Sequence, residues 1–159
     1  MECECYIKEL LHSCDNEGVC VSVWNRKLLG ELDIASKARM SDIINIFGRR
    51  SCKAQRLGAP VTDWLRMCNG NHRLYVASMK AGNGTNRKMT TILGILKTGE
   101  KKLFLRPSDL SAQLKEVEPI CVLDFYVHES CQRQGIGLKL MNGFFKNEGS
   151  TPDSVAYDR

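Results

Sequence analysis

The sequence predicts one α/β (α+β) domain spanning residues 1–159, a mixed sheet with helices, and three observations predict it. Segments of strand and helix character follow one another in the order β, α, α, three β, β, α, β, which is neither all-helical nor all-strand. The chain has 159 residues, 43% of them hydrophobic and 26% charged, the make-up of a globular domain able to bury a core. The most apolar strand runs through a glycine-rich turn directly into an apolar helix.

The elements are justified in turn. VCVSVW (19–24) alternates and is rich in β-branched residues, so it reads as a strand. SDIINIFGRRSCKAQR (41–56) sets Ile43, Ile44 and Phe47 on one helical face, with Ser41 as N-cap. Arg49, Arg50, Lys53 and Arg56 cluster on that helix, either as a solvated face or as a docking surface. In GAPVTDWLRM, Pro60 marks a turn and Thr62 the start of a short second helix. HRLYVASM (72–79) is a strand and GNGTNRK (82–88) a loop. TTILGILK (90–97) is expected to pair through TGE with KLFL (102–105) as a hairpin, with Lys101 and Lys102 solvated at its tip or meeting a partner there. After a polar connector around Pro107 comes the strand ICVLDFYV (120–127). GIGLKLMNGFFKN (135–147) is a helix with Leu138, Met141, Phe144 and Phe145 on or near one face, and SVAYD (154–158) a last strand.

Composition excludes several functions. No apolar run approaches the roughly 18–20 residues of a membrane helix. The opening MECECYIKELLHSC carries acids where a secretion signal has bases, so a cytosolic chain is expected. Its eight cysteines are then dispersed free thiols, because no C-x-x-C pair occurs and His12, His72 and His128 are scattered, which disfavours zinc. The net charge of +5 suits an anionic ligand or an acidic partner surface, and no nucleic-acid motif accompanies it.

The chemistry concentrates in Gln132-Arg133-Gln134-Gly135-Ile136-Gly137, between strand 120–127 and helix 135–147. The first turn of a helix offers unpaired N–H groups and the positive end of the dipole. Glycines let a diphosphate approach that backbone, and Arg133 supplies a bidentate cation. A P-loop needs Gly-Lys-Ser/Thr, and a dinucleotide fingerprint needs a third glycine where Leu140 stands. A glycine-rich turn without any ligand remains the other reading of these residues alone.

The same residues resemble the acetyl-coenzyme A pyrophosphate loop of the GNAT acetyltransferases. EVEPICVLDFYVHESCQRQGIG, SCKAQRLGAPVTDWLRM (51–67), GILKTGEKKLFL (94–105) and VAYDR (155–159) resemble, in the same order from about residue 40, blocks of the α-tubulin N-acetyltransferases. The resemblance implies a GNAT-like, mainly antiparallel sheet and an acetyl-CoA-dependent enzyme that acetylates a lumenal lysine of α-tubulin in microtubules. It also implies a cytoplasmic protein of the microtubule cytoskeleton, axonemes included, acting as a monomer without metal, membrane or nucleic acid. Carried over by position, the cofactor residues are Phe125, Tyr126, Val127, His128, Glu129, Ser130, Cys131, Gln132, Arg133, Gln134, Gly135, Ile136, Gly137 and Leu138. Gln55, Cys121 and Asp158 become the catalytic residues, and Asp124 and Arg159 flank the lysine groove.

The chemistry suits those residue types. A free lysine amine has a pKa of about 10.4, and a carboxylate such as Asp158 beside it can orient it and accept its proton. Cys121 can relay a proton to the departing thiolate, and backbone N–H groups at the end of strand 120–127 can polarise the carbonyl. Direct attack by the amine is favoured over an acetyl-cysteine step. Each residue also has a plain reading: core packing for Cys121, a strand-end charge for Asp158, an exposed helix position for Gln55. A His128–Cys121 dyad is disfavoured, because seven positions along a strand separate the two onto opposite faces. Cys121 and Asp124 share a face only if the strand carries a bulge.

The family's motif continues past VAYDR into a proline-serine segment with further CoA contacts and a closing hairpin. Nothing follows Arg159 here, so the sequence reads as a truncated or short form, with a terminal strand whose edge is unpaired and with weak or no activity of its own. A non-catalytic microtubule-binding module with a degraded GNAT fold is the alternative. A GNAT enzyme for another lysine or a small amine is a third.

Overall fold

The computed structural model describes residues 2–3, 13–80, 90–108 and 113–157. In chain order the elements are β1 (Glu2–Cys3), β2 (Ser13–Cys14), β3 (Val19–Asn25), α1 (Arg26–Gly30), α2 (Ile34–Ala54), α3 (Trp64–Asn69), β4 (His72–Lys80), β5 (Thr90–Glu100), β6 (Leu103–Leu105), β7 (Lys115–Val117), β8 (Ile120–Val127), α4 (Ile136–Glu148) and β9 (Ala156–Tyr157). Seven of the described strands form one sheet in the order β2-β3-β4-β5-β8-β9, with β1 also on β5. Among the described residues, every pairing in this sheet is antiparallel except β8 with β9. The mixed, mainly antiparallel sheet flanked by helices is therefore the fold expected. No described helix is long and apolar enough to cross a membrane.

Helices cover both faces, which is why β5 reads as a nearly continuous apolar run. On one face Met40, Ile43, Ile44 and Phe47 of α2 pack with Trp24, Leu74, Val76, Ile95 and Tyr126. On the other Ile136, Leu140 and Phe144 of α4 pack with Val21, Tyr75, Leu96 and Val122. Leu138 is 65% exposed, so the apolar face of α4 is offset from the one expected.

Several boundaries differ from the sequence reading. Helix α2 starts seven residues before Ser41, because the Asp33 side chain caps it by accepting from Ser36 N. Ser41 lies inside the helix, where its Oγ accepts from Asn45. Helix α1 went unrecognised and is capped by Asn25. Helix α3 is capped by Asp63, whereas Thr62 is buried and bonded elsewhere. The expected hairpin does not form. β5 continues through Thr98 and Gly99 and pairs with β8, while β6 pairs with β7 in a separate ribbon. Gly99 stays in the strand because His72 and Leu123 close over it: a Cβ there would meet His72 Cδ2 at 2.8 Å. The loop 82–88 falls outside the described residues.

The thiols also need one correction. Cys52, Cys68, Cys121 and Cys131 remain thiols, but Cys20 is disulfide-bonded. Pairing of β2 with β3 sets Cys14 directly opposite Cys20 in register, which the sequence reading did not foresee because it placed no strand at residues 13–14.

His72, packed between Gly70 and Gly99, has its pKa lowered by burial and then by the charge of Lys97. Between that folded value and about 6.5 the unfolded chain binds more protons, so stability rises with pH through this window and is lost as pH falls through it. Urea titrations of the wild type should show that slope, and His72→Asn should flatten it.

Candidate active site

The site grows from one aromatic contact. Phe47 of α2 meets Tyr126 of β8 edge to face, ring centroids 5.9 Å apart, and pins helix over strand. Four residues along a helix advance about 6 Å and two along a strand about 6.6 Å. The helix face Phe47, Ser51, Gln55 therefore runs in step with the strand face Tyr126, Asp124.

Asp124, 3% exposed, is the centre of what results. Ser51 Oγ donates to its Oδ1 at 2.5 Å and Thr62 Oγ1 to its Oδ2 at 2.5 Å. Gln55 Nε2 donates to Oδ1 at 2.9 Å and to Ser51 Oγ at 2.7 Å, and Phe125 N donates to Oδ1 at 2.9 Å. The loop carrying Thr62 is clamped twice more. Lys97 Nζ donates to the Val61 carbonyl, and Gly48 lets the Thr62 carbonyl lie where its own Cβ would otherwise stand. Burial pushes the Lys97 ammonium pKa down, against the opposing pull of Asp124.

β8 carries the bulge on which a shared face depended. Lys97 pairs with Asp124 and Thr98 with Val122, leaving Leu123 as the extra residue. Val122 packs toward α4 while Asp124 and Tyr126 face α2, so alternation returns Cys121 to the Asp124 side. Cys121 is a thiol, 1% exposed, and its Sγ lies 3.6 Å from the Pro119 carbonyl. It is the register partner of Ala156 in β9.

A cavity of about 340 Å³ opens beside this cluster, lined by Gln55, Val122, Leu123, Asp124, Phe125, Met141 and Tyr157. A second, of about 370 Å³, is lined by Ala54, Phe125, Tyr126, Val127, Cys131, Gln132, Arg133, Gly135, Ile136 and Gly137. The two share Phe125.

The second hollow has the backbone geometry that an anion would require. Gly135 is the N-cap of α4 at φ 79° and offers no side-chain cap, so the first-turn N–H groups stay available to a ligand. Arg133, at φ 64°, occupies the left-handed region that a non-glycine residue rarely adopts. Its neighbours brace that turn: Gln132 Nε2 donates to the Val127 carbonyl at 3.0 Å and Gln134 Nε2 to the Ser130 carbonyl at 3.3 Å. His128 is occupied as a cap, its Nδ1 accepting from Ser130 N at 3.2 Å, which leaves it no part in a dyad with Cys121. Glu129 Oε2 accepts from Tyr126 Oη at 2.8 Å. Burial, then Glu129, pushes that phenol up to about 12. Gly137 faces Phe125, whose Cζ would lie 2.9 Å from an added Cβ.

Nine of the fourteen expected cofactor residues line this cradle, while His128, Glu129, Ser130 and Gln134 brace it. Leu138 points to solvent, because two positions beyond Ile136 on a helix is nearly the opposite face. Gln55, Asp124 and the neighbour of Cys121 come together at the first cavity. Asp158 and Arg159 lie outside the described residues. The sequence reading missed Ser51, Thr62 and Lys97 as supports of Asp124; only the i, i+4 spacing of Ser51 and Gln55 hinted at one of them.

The family described as GNAT acetyltransferase, Mec-17, matches residues 4–159. Among similar proteins, "Alpha-tubulin N-acetyltransferase" of Tetrahymena thermophila is 34% identical over 97% of this chain and 36% of its own length. That of Schistosoma japonicum is 32% identical over 94% of this chain and 55% of its own. "Alpha-tubulin N-acetyltransferase 1" of Danio rerio is 40% identical over 76% of this chain and 39% of its own. The chain thus spans between about a third and just over half of these relatives' length. With the match running from residue 4 to Arg159 and the glycine cradle formed between β8 and α4, the chain belongs to the Mec-17 GNAT acetyltransferase family.

Proposed function

We propose that this protein is an acetyl-CoA-dependent N-acetyltransferase acting on a lumenal lysine of α-tubulin in microtubules, with the lysine amine attacking the thioester directly. The observation that carries the reading is the meeting of an anion cradle and a polar cavity at Phe125. A diphosphate held at Gly135, Gly137 and Arg133 leaves the thioester end of the same molecule to reach toward Gln55 and Cys121. The names of the relatives point to α-tubulin as the substrate.

The transfer balances with few groups. An N–C bond forms as the C–S bond breaks, and the amine proton passes to Asp158. The thiolate takes a proton from Cys121, which regains one as Asp158 releases the amine proton, so both residues end as they began; the burial of Cys121 suits a relay better than an exposed nucleophile. Gln55 orients the amine. Arg159 borders the lysine groove, and the protein works as a monomer in the cytoplasm and on axonemes.

Acetylation of polymerised tubulin, read with acetyl-lysine antibody, tests this against a binding module without turnover. Asp158→Asn should lower kcat by about 100-fold or more while CoA affinity stays within a few-fold. Undiminished turnover in that variant would remove Asp158 from the mechanism, and a wild type that binds microtubules without acetylating them would favour the binding module.

A further inference from the structure

Resting on the acetyl-transfer reading, we infer that Asp124 is a positioning residue: it locks the Gln55 side-chain amide with Nε2 inward, so that Oε1 is turned to the cavity as the acceptor that orients the incoming amine.

The amide polarity follows from what each partner can do. An ionised carboxylate only accepts, so a glutamine facing it must present nitrogen. Gln55 Nε2 turns one N–H edge to Asp124 Oδ1 at 2.9 Å and Ser51 Oγ at 2.7 Å, and because those oxygens lie only 2.5 Å apart they share that edge. Ser51 in turn donates its own hydrogen to Asp124, which closes a three-membered ring of bonds with one consistent direction. With Nε2 held inward, Oε1 is the acceptor of Gln55 left to meet a ligand, and Gln55 lines the cavity with Phe125 and Tyr157.

Asp124 is committed mainly to its own neighbours and is 3% exposed. A carboxylate offers about four acceptor positions. Ser51, Gln55 and the Phe125 peptide crowd Oδ1 and Thr62 takes one position on Oδ2, so most of that capacity is turned to the protein. Its rigidity comes from the clamped loop: Thr62 is fixed against Gly48, and Val61 against Lys97. The residue that the family resemblance sets beside the lysine groove therefore acts through its neighbour.

Two measurements decide it. In 15N-labelled protein the Gln55 side-chain NH2 pair, assigned by its loss in Gln55→Ala, should be well dispersed and slow to exchange, and Asp124→Asn should abolish that protection. In steady-state acetylation, Asp124→Asn should lower kcat by the same factor as Gln55→Ala, about 10- to 100-fold, with acetyl-CoA affinity within about twofold. The double variant should be no worse than Gln55→Ala. A Gln55 amide in the wild type that exchanges like free glutamine overturns the inference. So does a further loss of kcat when Asp124→Asn is added to Gln55→Ala, which would make Asp124 act on the substrate directly. If the wild type acetylates no tubulin, the functional reading fails, and the amide spectrum still tests the lock.

Discussion

Gly48→Ala should lower the melting temperature by about 10 °C, the largest stability loss expected from so small a change. An added Cβ would sit 1.9 Å from the Thr62 carbonyl oxygen and 2.9 Å from its carbon. Both are backbone atoms, so neither can swing aside. Helix α2 cannot yield either, since Ile44 and Phe47 beside Gly48 are fully buried. The loop must lift, and the Thr62 hydroxyl leaves Asp124 with a buried acceptor unmatched. Overpacking costs about 1–3 kcal/mol and the orphaned acceptor about 1–3 more, against a gain in helix propensity below about 1. At about 2–4 °C per kcal/mol for a domain of this size, the shift is readily seen by calorimetry. An unchanged melting temperature would mean that the loop packs elsewhere.

Gly137→Ala should do the opposite: leave stability unchanged or raised, and weaken CoA binding by about tenfold or more. Alanine is the better helix former inside α4 by about 1 kcal/mol. Its Cβ, however, meets the Phe125 ring at 2.9 Å. Phe125 is 41% exposed and gives way, but the space it turns into is the junction of the two cavities. Titration calorimetry with CoA beside a thermal melt reads both effects. Unaltered affinity would detach the cradle from the diphosphate.

The cradle was legible because its requirements are local. A left-handed φ at Gly135 and a missing Cβ at Gly137 are properties of single residues next to a strand and a helix. β8 was legible end to end for the same reason, as an apolar run bounded by polar turns. The hairpin after residue 97 was misread because turn chemistry in TGE competes with a contact invisible in sequence, the closing of His72 and Leu123 over Gly99. Leu138 was misplaced because two faces of α4 carry large apolar residues, and only docking on the sheet chooses between them.

Residue order alone was enough to show that a strand opens through a glycine turn into a helix, and which family uses that turn. It could not show what Asp124 does. Its partners Ser51 and Thr62 stand 73 and 62 residues away, and they converge only because Phe47 seats α2 on Tyr126. Nor could it show that Cys121 and Asp124 share a face, because one extra residue, Leu123, is paired out of the β5 ladder. Backbone conformation is set by neighbours in the chain; a buried carboxylate held by four donors is set by neighbours in space.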